Sequence, residues 1–391
     1  MDVLLRGKLL GTTAPVDVRV RDGRVVFVKR ASRATPELGD GEAVIAPPLF
    51  DIQVNGAGGV DLQSPTLSVE DVLEVDAVMR TGGVAHWVPT LVTGPLELME
   101  RNCRVIAAAI EGRGLARAVP GIHLEGPVIS PEDGPRGAHP RAHVRPPSLH
   151  DFNRLFRAAN GRILYTTTAP DQPRVAPYIK ALRARGVVVS LGHHNASADQ
   201  IAAAVDAGAQ LCTHLGNGAA PVLPRHHNPI WPQLAEDRLM ASFIADGHHL
   251  PDPVLKTLAR VKGPRRSILA SDCVPLMGMS PGRYDLFGTA VELRSDGRVC
   301  LSGTDLLAGS ATPLISDVLH TARVTDFTLE ESFQCARENP ARLFGLRLSP
   351  WKPQAGRPAN FLLLSGGSIR FQRPETRTPI AVYIHGKDVS S

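Results

Sequence analysis

The chain has 391 residues, 43% of them hydrophobic and 21% charged, which suits a globular protein with one large core and a smaller satellite. Its net charge of +5 comes from scattered basic residues and only 5% of the chain is aromatic, which argues against a nucleic-acid-binding stripe. Five separated cysteines without a CxxC argue against a disulfide framework, and no run of eighteen apolar residues is present to span a membrane. The opening MDVLLRGKLLG, interrupted by Arg6 and Lys8, is a poor signal peptide, so a reducing, cytoplasmic setting is expected.

In chain order, Val3–Leu10, Val16–Val20 and Arg24–Lys29 read as strands, the last two joined by an Asp22-Gly23 turn. Pro47-Pro48 closes this section, and LFDIQVN runs into the glycine-rich AGGVD. From there to about residue 345, apolar runs alternate with helical patterns. Helices are expected over Val69–Thr81, Leu96–Gly112, Asp171–Arg185 and Ser197–Ala207. Strands are expected at Asp51–Val54, His86–Val92, Gly121–Leu124, Ile163–Thr168, Val187–Leu191, Gln210–Thr213, Met240–Ala245 and Ser267–Ala270. Eight such βα units favour a closed (β/α)8 TIM-like barrel over an open doubly wound sheet. Beyond it Phe361–Leu364, Ser368–Phe371 and Pro379–His385 read as short strands. Residues 1–48 and 347–391 are therefore expected to form a small β-sandwich domain beside a barrel of residues 49–346.

Chemistry concentrates where predicted strands end. Glu125 closes VPGIHLEGP, His193 follows VVVSLG, His214 follows AGAQLCT and Asp272 follows SILAS. A carboxylate and two imidazoles on different strands, converging on one rim, suit a catalytic divalent cation with a position left open for water. Asp272 is the candidate general acid and base beside it. Gln53 and Asn55 alternate on one strand, and as neutral amides they favour a single metal over a pair. His139 and His249 are candidates for polarising a carbonyl and contacting substrate. Arg225 could bind an anion bidentately, aided by N–H groups of the Gly216–Ala219 loop.

Taken together, FDIQVNGAGGVD, GIHLEGPVIS, GAHP, SLGHHNAS, THLGNGAAP, FIADGHHL, LASDCVP, LLAGS and ENPARLFGL occur in the order found in N-acetylglucosamine-6-phosphate deacetylases of the amidohydrolase superfamily. The chain resembles that family from about Pro47 to Leu346. The resemblance implies hydrolysis of the substrate's N-acetyl group, with Glu125, His193 and His214 binding one divalent metal, zinc first, with Fe2+, Mn2+ or Co2+ as alternatives. It implies Asp272 as proton acceptor and donor and His139 as the group orienting the acetamide. It further implies substrate contacts from Gln53, Ala138, Asn217, Gly218 and His249, and from a Leu307–Ala308–Gly309 loop. A homodimer in which Arg225 reaches the partner's phosphate is also implied. The chain reads LGNGAAP where the family commonly has FNAMPP, and HHNPIWP after Arg225 where a short acidic segment is usual. Both differences lie beside the expected phosphate pocket. Deacetylation of another N-acetylhexosamine phosphate, or of another amide, stays open, as does a non-catalytic sugar-phosphate sensor.

Overall fold

The computed structural model describes residues 2–286, 289–305, 307–367 and 379–389. Eight parallel strands follow one another around a barrel: Leu49–Val54, Val84–Val92, Ile122–Glu125, Ile163–Thr168, Val188–Leu191, Leu211–Cys212, Met240–Phe243 and Ser267–Leu269. A helix follows each strand before the next begins, and Leu314–Val324 follows the last. Local sequence sets the helix starts. Ser68 accepts the Asp71 N–H while the Asp71 carboxylate accepts the Ser68 N–H, and Ser197 and Gln200 make the same reciprocal pair. Val72, Val75 and Met79 then face the core at helical spacing.

The first and eighth strands share no continuous ladder. Instead the Asn55 N–H donates to the Cys273 carbonyl at 2.8 Å, and the buried Asp51 carboxylate accepts the Ser271 N–H at 3.2 Å and the Ser271 hydroxyl. Burial raises the Asp51 carboxyl to about 7, although the Ser271 and Gln53 donors act to lower it.

Both chain ends meet in one seven-stranded sheet. Its order is Lys387–Asp388, Ala381–Ile384, Phe361–Leu364, Leu38–Ala46, Asp2–Leu9, Pro15–Arg21 and Arg24–Arg30. The alternation of Phe361–Leu364 explains how the sheet is used. Phe361 and Leu363 pack into a core with Leu5, Val18 and Ile45, whereas Leu362 and Leu364 point into the barrel's helical layer. The sheet rolls onto itself, and Val25 on its edge strand donates to the Arg357 carbonyl at 2.9 Å. At that closure Gly23, with φ +73°, lies against Gly386 so tightly that a Cβ would strike the Gly386 carbonyl. The expected strand Ser368–Phe371 lies outside the described residues.

Two expectations change. The helix expected over Asp171–Arg185 is confined to Val175–Arg183, because Arg174 adopts a left-handed conformation and the Asp171 carboxylate accepts the Asn195 N–H. Leu307–Gly309 is not a loop but belongs to strand Leu307–Ser310 of a four-stranded antiparallel sheet with Gly282–Leu286, Thr289–Leu293 and Arg298–Leu301. This sheet has its own small core of Val274, Leu276, Leu286, Val291, Leu293 and Val299. It interrupts the connection between the eighth strand and its helix.

Candidate active site

The third, fifth and sixth strands deliver their carboxyl ends to one point. Glu125 is the last residue of its strand, and His193 and His214 come two residues after theirs. His193 Nε2 lies 3.1 Å and His214 Nε2 3.0 Å from Glu125 Oε1. The three ligand atoms lie within 4.8 Å of one another, and all three residues are buried. The ring of His193 is oriented from behind, its Nδ1–H donating to the Pro135 carbonyl at 2.9 Å. That anchors the ring from its Nδ1 side and turns Nε2 toward the Glu125 carboxylate, so that a divalent cation could be held by both. The donor set therefore fits a divalent metal. Burial opposes ionisation of Glu125, but hydrogen bonds from His193 and His214 prevail and hold it well below the usual carboxylate range. Burial likewise opposes the charge on His214, and Glu125 outweighs it and raises the imidazole.

Three of these side chains sit on strained backbone. His193, His214 and Asp272 have φ of +54°, +30° and +50°. Left-handed non-glycine residues cost about 1–3 kcal/mol each and cluster at functional sites. Two glycines let the chain close over His193. Cβ atoms at Gly137 and Gly218 would lie 3.3 Å and 3.0 Å from its ring.

The first strand reaches the site through its side chains. Gln53 Nε2–H donates to Glu125 Oε1 at 3.1 Å, and Asn55 Nδ2–H donates to Asp272 Oδ1 at 2.7 Å. Burial, then the charge of Glu125, raises Asp272 to about 6, a value suited to taking and returning a proton near neutrality. His139 Nε2 is 3.3 Å from His193 Nε2. Burial and the neighbouring histidine lower His139 to about 3, so it is neutral and has one ring N–H to donate.

His249 Nδ1–H donates to Asp246 Oδ2 at 2.7 Å, and Asp246 Oδ1 accepts the N–H groups of His248 and His249. Burial opposes the charge on Asp246, yet these donors hold its carboxyl far below the ordinary range. Asn217 and Gly218 come three and four residues after His214, and among the described residues the buried Asn217 amide nitrogen has no partner. Ala138 adjoins His139 in a loop held by Arg136, whose guanidinium donates to the His139 carbonyl at 2.5 Å. Leu307, Ala308 and Gly309 form a strand whose neighbour Ser310 accepts the Val274 N–H, two residues after Asp272. Arg225 is exposed on the Pro221–Pro229 stretch, and its carbonyl accepts the Trp231 indole N–H at 3.1 Å.

Sequence reasoning passed over Asp246 and Asp51. An aspartate followed by glycine that caps its own turn is the signal for Asp246, and the Asp-x-Gln-x-Asn alternation is the signal for Asp51. His123 was also missed. It stacks on Tyr165 at 3.8 Å, Thr90 lies 3.1 Å from its Nδ1, and Thr167 lies 2.9 Å from its Nε2.

No family model matches the sequence. The chain is 35% identical to the human N-acetylglucosamine-6-phosphate deacetylase, over 93% of this chain and 90% of that one. The chain belongs to the N-acetylglucosamine-6-phosphate deacetylase family. It is also 30% identical to the N-acetylgalactosamine-6-phosphate deacetylase of Escherichia coli O157:H7, with 90% of each covered. A solved structure of the Mycobacterium smegmatis N-acetyl-D-glucosamine-6-phosphate deacetylase, a variant in complex with N-acetyl-D-glucosamine-6-phosphate, matches with a TM-score of 0.80. The two are 27% identical, with 100% of both chains covered. Membership agrees with the Glu–His–His cluster and with the barrel that assembles it.

Proposed function

We propose that this protein hydrolyses the N-acetyl group of N-acetylglucosamine 6-phosphate to glucosamine 6-phosphate and acetate. The observation that carries the reading is the buried cluster of Glu125, His193 and His214, with Asp272, raised to about 6, at the same rim. These three ligands would hold one divalent cation, which when bound supplies positive charge that polarises a carbonyl and acidifies water. Two imidazoles with one carboxylate suit zinc, with Fe2+, Mn2+ or Co2+ as alternatives. Ionised Asp272 accepts the proton of the attacking water. Protonated, it returns that proton to the amine nitrogen as the C–N bond breaks and the electron pair stays on nitrogen. Neutral His139 donates to the acetamide oxygen as charge grows there. His249, held by Asp246, contacts the sugar phosphate together with Asn217 and Gly218, while Ala138, Leu307, Ala308 and Gly309 shape the ring pocket. Gln53 acts at the edge of that pocket through Glu125.

Arg225 stands beside Val222, 85% exposed, and Trp231, 50% exposed. Exposed apolar side chains on the same stretch as Arg225 fit a homodimer in which Arg225 reaches the partner's sugar phosphate. Residues 49–346 form the catalytic domain, with 1–48 and 347–391 as the separate small domain. The enzyme acts in the cytoplasm, without nucleic acid or membrane. Among the described residues no helix is long and apolar enough to cross a membrane.

The galactosamine epimer is the second reading, favoured by the similarity to the Escherichia coli relative and by the divergent HHNPIWP segment. Acetate release from a panel of N-acetylhexosamines, with and without 6-phosphate and with metal analysis of the same sample, tests both. The expected result is the highest kcat/KM for N-acetylglucosamine 6-phosphate, with Arg225→Ala removing the preference for phosphate. No acetate from any 6-phosphate would overturn the proposal.

A further inference from the structure

We infer that Asn55 is a positioning residue that aims the proton-transferring carboxylate of Asp272. The inference rests on the deacetylase reading above. Asp272 lies in a left-handed stretch of backbone after the end of the eighth strand, at the seam where no ladder holds it to the first. What holds that stretch comes from the first strand and the residue after it, through side chains and one backbone hydrogen bond. Asp51 grips Ser271, the Asn55 N–H donates to the Cys273 carbonyl, and the Asn55 amide donates to Asp272 Oδ1 at 2.7 Å. Among the described residues Asp272 Oδ2 takes no protein donor, so the Asn55 bond divides the carboxylate into a held oxygen and a working one.

The direction of the Asn55 amide is decided by chemistry. An ionised carboxylate only accepts, so the NH2 end faces Asp272 and Oδ1 faces away. That oxygen is buried and, among the described residues, has no hydrogen-bond partner. A buried carbonyl left without a donor is destabilising, which a residue serving only the fold would avoid. The backbone of Asn55 is itself clamped, its N–H on Cys273 and its carbonyl accepting the Leu62 N–H at 3.1 Å. The side chain therefore reaches Asp272 from a fixed base, as a supporting group must to orient a reacting one.

Acetate release is measured for the wild-type holoenzyme, Asn55→Ala, Asp272→Asn and the double variant, with metal content for each. Asn55→Ala is expected to lower kcat about tenfold to a hundredfold, with KM within about threefold and metal per subunit unchanged. Because Asn55 acts through Asp272, the double variant is expected to be no slower than Asp272→Asn alone. Asn55→Ser, which keeps a shorter donor, should recover part of the loss and serves if the alanine variant does not fold. A kcat within twofold of wild type, multiplicative losses in the double variant, or a loss that follows departing metal would each overturn the inference. Wild-type turnover in the same assay separates this from a failure of the deacetylase reading itself.

Discussion

The two ends of the barrel interior are built on opposite principles. Away from the site, Phe50, Val188, Leu211 and Ile268 from four strands fill the barrel, and Phe344, after the last helix, packs on Phe50 with ring centroids 6.1 Å apart. Apart from the Tyr165 hydroxyl, which donates to the Ile52 carbonyl at 2.8 Å, the fit there rests on volume. At the rim, Glu125, His139, His193 and His214 are buried with the half-buried Asp272 beside them, and each is tolerable only because another polar group faces it. Close packing makes the first end stable, and mutual compensation of charge makes the second reactive.

Substitutions on either side should separate these properties. The largest effect belongs to the rim: Asp272→Asn should reduce kcat by about 10²- to 10⁴-fold, with metal content and melting temperature nearly unchanged. A stable variant with normal turnover would remove Asp272 from proton transfer. Phe50→Ala, at a side chain wholly buried in the apolar end, should lower unfolding free energy by about 3–5 kcal/mol. Its kcat per folded molecule should stay near wild type, as denaturant melts paired with activity would reveal. Stripping the divalent cation with a chelator should abolish turnover and destabilise the fold by about 2.7 kcal/mol if the ion had been present at a hundred times its Kd. Calorimetry before and after adding zinc back measures both.

The smallest effect is expected at the barrel seam. The folded protein holds the Asp51 proton up to about 7, against an ordinary 3.8. The folded state thus binds a proton that the unfolded state releases, so this contribution to stability is complete below 3.8 and is lost as pH rises to about 7. Asp51→Asn should remove that decline. Relative to wild type it should gain at least about 1.4 kcal/mol, the equivalent of one pKa unit, between acid and neutral pH. A difference that does not change with pH in a series of melts would refute the assignment.

Much of this was legible in the residues. Ile163–Thr168 and the helices Val69–Thr81 and Leu96–Gly112 were read with their observed limits, because apolar period marked them, reinforced at Val69–Thr81 by the Ser68–Asp71 capping box. The residues able to hold a cation were legible for a related reason: Glu125, His193 and His214 end apolar runs, where a buried polar group needs a function to justify it. The sheet ending at Ser310 was not, since short strands inside a βα connection carry little periodicity. Asp246 and Asp51 were missed because a lone aspartate in a turn or a strand has many ordinary uses.

By itself the sequence determined the order of strands and helices, the residue types able to bind a cation, and the family to which they belong, since these follow from local pattern. Only the tertiary structure decided which partner each buried group meets: Gln53 on Glu125, Asn55 on Asp272, Asp51 across the seam, Asp246 behind His249. Such pairings join residues separated by up to 220 positions, and the three longer-range ones depend on how the barrel closes, a property of the whole chain that no local window contains.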